Sequence, residues 1–256
     1  MSSYNPQFEW WMKYLIDPTQ ITDPKPRVYS IDVTWKCNLN CPFCKYRALP
    51  PKEMTFDLFM QLVYKAIREH CGILLSGGGE PTVHPEFQRM VNFLDAIQPL
   101  GIGMLTNGVD TENLAYYCAK LLQKPNTWVR ISLNDRLLTP DLEDLINQYP
   151  NQIGFLMTYT RDDLHSQQQA KHNLDLLYPK AVRYVTMRPS TLWEPIPAFQ
   201  EKCIGRKFVR VFEPDGTEAF CHLARGLEGK PPATCWACCK FYKVHMDDLW
   251  RVNPFT

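Results

Sequence analysis

Two features of many proteins are missing from this sequence: a long apolar run and a large net charge of either sign. No apolar stretch approaches the roughly 18 residues that a membrane-spanning helix needs. The N-terminus also lacks the basic stretch and apolar core of a secretory signal. Lys and Arg number 28 against 27 Asp and Glu, so the formal charge is +1 and attracts neither a phosphate backbone nor an anionic membrane. We therefore expect a cytoplasmic protein with no nucleic acid and no membrane as partner.

Histidine patterns typical of zinc hydrolases are missing as well. The six histidines form no H-E-x-x-H or H-x-x-E-H motif. Cysteine, in contrast, is plentiful, with ten residues in a chain of 256. Because the cytosol keeps thiols reduced, these cysteines are expected to be metal ligands or buried thiols rather than disulfides.

Short β-rich runs alternate with stretches of helical period between residues 27 and 190. Helices are predicted after Thr55, a candidate N-cap, and after Pro85, because apolar residues follow each at helical spacing. Strands alternating with amphipathic helices indicate a parallel sheet of right-handed βαβ units, whose reactive loops follow the carboxyl ends of the strands. The six predicted strands are 27–35, 72–78, 102–108, 128–134, 153–160 and 181–187.

The pattern changes at both ends of the chain. Residues 189–203 form a proline-rich connector, and residues 207–221, KFVRVFEPDGTEAFC, predict a hairpin that turns at 214–216. Four cysteines then crowd into 221–239. Near the N-terminus, FEWWMKYLI (8–16) is predicted either to form a helix that packs across the sheet or to dock a partner.

The first cysteine cluster lies directly after the first predicted strand. Cys37, Cys41 and Cys44 are spaced C-x3-C-x2-C within TWKCNLNCPFCKY, which matches neither a zinc ribbon nor a ferredoxin. A four-iron, four-sulfur cluster held by three thiolates leaves one iron without a protein ligand, and that iron can chelate a small molecule. The alternative is a fourth ligand far along the chain.

This spacing, together with three other motifs, resembles the radical S-adenosylmethionine (radical SAM) superfamily. SGGGEP (76–81), TNG (106–108) and SLN (132–134) end the second, third and fourth predicted strands. The resemblance covers about residues 27–190. It implies an α/β fold, a partial (β/α)6 TIM-like barrel, with a [4Fe–4S] cluster on Cys37, Cys41 and Cys44 that binds SAM.

The resemblance also implies which residues contact SAM. Gly78 and Gly79 are expected to contact its amino group through backbone atoms, since glycine allows close approach, and Glu80 to shape their loop. Phe43 is expected near the adenine, with Met187, at the end of the sixth strand, packed on it. Taken alone, the glycine turn fits a phosphate cradle and Met187 a core residue equally well. The remaining predicted contacts are Thr106, Ser132 and Asn134, the last at a position where the family often has Asp.

A second cysteine cluster follows the predicted barrel. Its four candidate ligands are spaced C-x17-C-x13-C-x2-C, and four thiolates suffice to close a metal site. The cluster resembles the twitch domain, a short form of the SPASM extension that binds an auxiliary [4Fe–4S] cluster; structural zinc and unligated thiols are the alternatives. Three parts are therefore expected: an N-terminal helical and aromatic segment (1–26), the barrel (27–190) and an auxiliary-cluster domain (191–256) with its hairpin. The predicted ligands are Cys203, Cys221, Cys235 and Cys238, with Cys239 as the alternative to Cys238.

Three functions are compatible with these motifs. The resemblance favours an enzyme that cleaves SAM to a 5′-deoxyadenosyl radical and modifies a ribosomally made peptide by crosslinking, epimerisation or backbone excision. The second is a dehydrogenase or cyclase that acts on a small metabolite such as an amino sugar or nucleotide, and the third is a non-enzymatic electron-transfer module. The first two need an external electron donor such as flavodoxin or ferredoxin, and the peptide hypothesis adds a separate leader-binding partner.

Overall fold

The computed structural model describes residues 28–41, 44–124, 127–133, 139–150, 152–159, 185–189, 196–197, 209–220, 225–229 and 234–235. The predicted N-terminal segment, 1–26, lies outside the described residues. Within these ranges, no helix has both the length and the apolar content that crossing a bilayer requires.

An eight-stranded sheet forms the centre of the described structure. Its strand order is β6-β5-β4-β3-β2-β1-β8-β9, and every neighbouring pair is parallel except β8 with β9. The first six strands are thus neighbours in chain order, which confirms the predicted parallel α/β sheet. A separate antiparallel pair joins β7 and β10. The strands are β1 (Val28–Asp32), β2 (Gly72–Ser76), β3 (Ile102–Thr106), β4 (Thr127–Ser132), β5 (Ile153–Tyr159), β6 (Val185–Pro189), β7 (Ile196–Pro197), β8 (Val209–Phe212), β9 (Glu218–Ala219) and β10 (Thr234–Cys235).

In the described part of the chain, four α-helices connect successive parallel strands from β1 to β5, the arrangement of βαβ units. They are α1 (Phe56–Arg68), α2 (Phe87–Ile97), α3 (Thr111–Leu121) and α4 (Pro140–Gln148). The predicted N-cap is confirmed, because the Thr55 hydroxyl accepts a hydrogen bond from the Leu58 amide at 3.3 Å. Asp110 and Thr139 cap α3 and α4 in the same way.

The core lies between the sheet and the apolar faces of these helices. Phe59 of α1, Met90 of α2 and Leu114 of α3 are fully buried, as are Ile31 and Leu75 from the strands. Burying each such side chain contributes about 1.5–3 kcal/mol to folding. The helices therefore pack on the sheet and leave its carboxyl edge to the loops.

The predicted hairpin is confirmed, with Val211 opposite Ala219. It is not separate from the sheet, however, because β8 pairs in parallel with β1 from Val28 to Ile31. Arg210 strengthens this junction: it donates to the Tyr29 hydroxyl at 2.8 Å and forms two hydrogen bonds with Glu218. A separate auxiliary-cluster domain over 191–256 stays a prediction.

The sixth strand corrects the expected place of one residue. β6 continues to Pro189, so Met187 is the third of its five residues and not the last. Among the described strands, β6 pairs with β5 alone, so Pro189 lies on an edge strand, where proline is tolerated. Of the strand predicted over 181–187, residues 181–184 lie outside the described residues.

Candidate functional site

The loop that follows β1 carries the first three cysteines and is closed at its base. Residues 33–35 run antiparallel to 52–54, with Thr34 bridged to Glu53. The Trp35 amide donates to the Lys52 carbonyl and the Met54 amide to the Val33 carbonyl, each at 2.9 Å. We call residues 36–51 the cysteine loop; its closed base holds it at the carboxyl edge of the sheet.

The three thiols differ in exposure and in contacts. Cys37 is exposed, whereas Cys41 and Cys44 are partly buried. A turn links the last two, since the Cys44 amide donates to the Cys41 carbonyl at 3.0 Å. The Cys37 sulfur accepts from the Leu39 amide at 3.4 Å and from Asn107 Nδ2 at 3.8 Å. Although Cys37 is exposed as a residue, partial desolvation of its sulfur raises the pKa of the thiol, and the Leu39 amide opposes this rise.

These residues fit a cubane iron–sulfur cluster better than a single metal ion. Within the described part of the chain, no three Cys, His, Asp or Glu side chains converge on a position for one ion. In a cubane each thiolate binds a separate iron, so three thiolates hold one cluster without sharing a metal ion. All three cysteines lie on one loop and none of them is in a disulfide, and Asn107 donates to one sulfur, a contact of the kind that tunes cluster potentials.

A second loop, residues 76–80, packs directly against the cysteine loop; we call it the glycine loop. A Cβ atom at Gly79 would lie 2.2 Å from the Lys36 carbonyl oxygen and 2.6 Å from the carbonyl carbon of Trp35. The Glu80 amide donates to the same Lys36 carbonyl at 2.8 Å. The absent side chain at Gly79 therefore makes room for the backbone that leads to Cys37.

Glu80, the last residue of the glycine loop, connects this loop to the end of β3 by hydrogen bonds. The residue is 2% exposed, and its carboxylate accepts all of these bonds. Oε1 accepts from the Thr106 hydroxyl at 2.7 Å and from the Thr82 hydroxyl and amide at 2.9 and 3.2 Å. Oε2 accepts from the Asn107 amide at 2.6 Å. Burial raises the pKa of Glu80, and these donors oppose the rise.

Asn107 extends this network to the cysteine loop. Besides its contact with Cys37, its Nδ2 donates to Asn38 Oδ1 at 2.7 Å. Its own Oδ1 accepts from the Val109 amide at 2.9 Å, which fixes the orientation of the side chain. The sequence TNG is thus a structural link between the third strand and the first cysteine. Thr106 is buried and also accepts from the Gly108 amide at 3.0 Å; its contact with SAM stays a prediction.

The structure adds residues that the motifs did not indicate. Asp32, the last residue of β1, is fully buried and forms a two-point ion pair with Arg225, in which Nη2 donates to Oδ1 at 3.0 Å and Nε donates to Oδ2. Burial raises the pKa of Asp32, and the guanidinium opposes this rise. Next to it, Glu213 Oε1 accepts from the Gly226 amide at 2.7 Å. An acidic residue ending an apolar strand was the only sequence signal for Asp32, and Arg225 had none.

The other predicted site residues are placed only in part. Ser132 ends β4 and is partly buried. Cys235 lies in β10, opposite Ile196. The predicted residues that lie outside the described ranges are Phe43, Asn134, Cys203, Cys221 and Cys238.

Comparison with known proteins supplies independent information on this site. The family model described as "Radical SAM superfamily" matches residues 31–165. A cofactor-modifying protein for the tungsten-containing aldehyde ferredoxin oxidoreductase of Pyrococcus furiosus is 35% identical over 82 residues, which are 30% of this chain and 23% of that protein. Molybdenum cofactor biosynthesis protein 1 of Mus musculus is 31% identical over 137 residues, 50% of this chain and 21% of that protein. The chain spans less than a quarter of the length of each of these relatives.

Solved structures share the fold at low sequence identity. Histidine-tagged anSMEcpe with bound AdoMet superposes with a TM-score of 0.59 at 15% identity, covering 89% of this chain and 81% of that chain. SuiB of Streptococcus suis bound to its precursor peptide SuiA superposes with a TM-score of 0.52 at 14% identity. The match covers 90% of this chain and 66% of the SuiB chain. At such identities the similarity concerns the fold alone, and it agrees with a partial TIM-like barrel.

Proposed function

The chain belongs to the radical SAM superfamily and is an iron–sulfur enzyme of that family, and we propose that it cleaves SAM at the cysteine loop to modify a ribosomally made peptide. One observation carries the first part. The loop with three free thiols is tied to the glycine loop and to the end of β3 by one continuous network through Glu80 and Asn107. This network brings together three of the four strand-end motifs.

The described residues supply position rather than chemistry. Cys37, Cys41 and Cys44 hold the cluster, and Asn107 donates to a cluster ligand. Gly78 offers backbone polar atoms to the amino group of SAM. When bound and reduced, the cluster would supply one electron for the cleavage of SAM, and SAM would supply the 5′-deoxyadenosyl group that takes a hydrogen atom from the substrate. Other proposed SAM contacts are Phe43, Gly79, Glu80, Thr106, Ser132, Asn134 and Met187.

The peptide substrate is supported by proteins with the same fold. SuiB has been solved with a precursor peptide and anSMEcpe with peptides bound. The chemical outcome is a crosslink, an epimerisation or a backbone excision, and a separate leader-binding protein delivers the peptide. Cys203, Cys221, Cys235 and Cys238 would hold an auxiliary [4Fe–4S] cluster, which for an oxidative outcome such as a crosslink would supply the acceptor for the electron that the substrate loses. A flavodoxin or ferredoxin reduces the first cluster.

Anaerobic reconstitution tests the SAM-cleaving part of this proposal. The protein is loaded with iron and sulfide, reduced with dithionite and given SAM, and 5′-deoxyadenosine is measured by mass spectrometry. Cys41→Ala should abolish the product. Cys71→Ala is the matched control, because Cys71 is a fully buried thiol just before β2 and outside the cysteine loop. A wild-type protein that binds iron but yields no 5′-deoxyadenosine contradicts the proposal.

Iron content tests the auxiliary cluster. Two cubanes require about eight irons per chain and one requires about four. We expect about eight in the wild type and about four in both Cys41→Ala and Cys235→Ala, with SAM cleavage retained only in the second variant. A wild type with about four irons, or with one zinc ion beside them, would remove the auxiliary cluster from the proposal.

A small-molecule substrate is the second candidate, and one observation favours it. Both relatives compared above, the cofactor-modifying protein of Pyrococcus furiosus and molybdenum cofactor biosynthesis protein 1 of Mus musculus, are named for cofactor metabolism. Genome neighbourhood separates the two candidates: a short precursor gene and a leader-binding gene support the peptide, whereas sugar, nucleotide or cofactor genes support the metabolite. Incubation with the neighbouring candidate substrate and detection of its mass change then decides between them.

A further inference from the structure

Arg225 contacts one residue before the first cysteine of the cysteine loop and one residue after the last. Its guanidinium forms the two-point pair with Asp32, five residues before Cys37. Its Nη1 also lies 3.5 Å from the hydroxyl of Tyr46, two residues after Cys44, and the guanidinium lies 5.2 Å from the centre of that ring. One side chain from the C-terminal region therefore connects the end of β1, before Cys37, to the segment that follows Cys44.

Asp32 transmits this contact to the glycine loop. The same carboxylate accepts from Trp35 Nε1 at 3.4 Å and packs against the glycine loop, where a Cβ atom at Gly77 would lie 3.4 Å from Asp32 Cγ. The next backbone N–H, that of Gly78, faces the carboxylate and lowers its pKa. In a planar trans peptide the N–H and C=O groups point in opposite directions. With the Gly78 N–H directed at Asp32, the Gly77 carbonyl points away from that buried carboxylate, which is the orientation it needs to accept a hydrogen bond from an ammonium group.

The energetics argue for a positioning role. Arg225 is 7% exposed and Asp32 is fully buried. Desolvation offsets most of the attraction within a buried ion pair, so an apolar replacement of both partners is often no less stable. What the pair does provide is geometry, because the planar guanidinium binds a carboxylate at two points in a fixed orientation.

We propose that Arg225 is a positioning residue for SAM: through Asp32 it orients the Gly77–Gly78 peptide toward the ligand, and through Tyr46 it holds the far side of the cysteine loop. The C-terminal region thereby becomes part of the SAM site without contacting SAM. This inference rests on the proposed SAM cleavage at the cysteine loop, and the experiment below separates the two.

The experiment compares three variants of the full chain after reconstitution. Asp32→Asn with Arg225→Met removes the pair without leaving a buried charge alone, and Arg225→Lys keeps the charge but loses the two-point contact. Arg210→Met is the matched control, because Arg210 is an ion-paired arginine of the neighbouring hairpin that bonds Tyr29 and Glu218. Iron content, the EPR spectrum with and without SAM, and SAM affinity by equilibrium dialysis are measured for each.

We expect the double variant to keep its iron and its SAM-free EPR spectrum while its SAM affinity falls about tenfold or more, the effect of one hydrogen bond to a charged group. The SAM-induced change in the EPR spectrum should shrink in parallel. Arg225→Lys should lose part of the affinity and Arg210→Met none. If the double variant binds SAM like the wild type, or loses its iron, the inference is overturned. A reconstituted wild type that binds no SAM refutes the proposed function instead.

Discussion

Gly79→Ala is the sharpest test of how the two loops fit together. The new Cβ atom would lie 2.2 Å from the Lys36 carbonyl oxygen and 2.8 Å from that of Thr34. Both neighbours are backbone atoms, so no side-chain rotation relieves the contact. The segment that leads to Cys37 has to retreat by about 1 Å to restore an ordinary van der Waals separation.

The expected cost has two parts. Overpacking of this kind costs about 1–3 kcal/mol. The bond from the Glu80 amide to the Lys36 carbonyl, now 2.8 Å, is also lost at this displacement, at about 1 kcal/mol. The free energy of unfolding should therefore fall by about 2–4 kcal/mol, which lowers the Tm by roughly 5–15 °C in a chain of this size. Iron content should fall as well, because metal–ligand distances tolerate shifts of only about 0.2 Å.

Gly77→Ala is the control for stability and iron content. Its Cβ atom would lie no closer than 3.3 Å to any neighbour, the nearest being the Thr34 carbonyl oxygen, so we expect a cost under about 1 kcal/mol and normal iron. Thermal unfolding followed by circular dichroism, and iron and sulfide assays after reconstitution, give the two readouts. A Gly79→Ala protein with the wild-type Tm and a full cluster would refute the packing argument.

Three further perturbations test the surrounding structure. Glu80→Gln replaces one carboxylate oxygen by an NH2 group, which in either orientation of the amide faces a backbone N–H, that of Thr82 or that of Asn107. The free energy of unfolding in chemical denaturation should therefore fall by about 1–3 kcal/mol. An unchanged denaturation midpoint would contradict this. Burial lowers the pKa of His84, whose Nε2 lies 2.9 Å from the Met54 carbonyl and whose Nδ1 accepts from the Glu86 amide. The neutral His84 side chain therefore contributes its full stabilisation above its unfolded pKa of about 6.5, and this stabilisation is lost as the pH falls toward its lower folded pKa. His84→Gln should accordingly make the free energy of unfolding less dependent on pH between these two pKa values. Arg210→Met should cost about 1–2 kcal/mol by loss of its hydrogen bonds to charged and phenolic oxygens, measured as a lower Tm, and an unchanged Tm would show that the hairpin is held by its backbone pairing alone.

The strand-end motifs were predictable because each is local. Glycine, cysteine and turn residues at short spacings reflect backbone geometry within a few residues, and hydrophobic period reflects one helix or strand at a time. The bounds of β2 to β5 and the first residues of α1 and α2 accordingly agree with the prediction to within about two residues. The interpretation of Gly79 was incomplete, however: it was expected to admit a ligand, and the structure shows that it admits the backbone of Lys36.

The position of the hairpin could not be predicted in this way. Its turn residues determine that β8 and β9 fold back on each other, but not which sheet edge they join. In the structure β8 lies parallel to β1, although about 180 residues separate them along the chain. Pairing in register at that separation depends on the burial of both strands together, which no short window contains.

From the sequence alone follow the parallel α/β architecture, the three cysteines after the first strand and the family that these motifs indicate. Only the tertiary structure shows that Glu80 binds the end of the third strand and that Asp32 meets Arg225 across 193 positions of the chain. The physical reason is that charged residues look alike in a sequence, whether solvated at the surface or buried in a pair. Their partners are decided by which strand ends the folded sheet brings together.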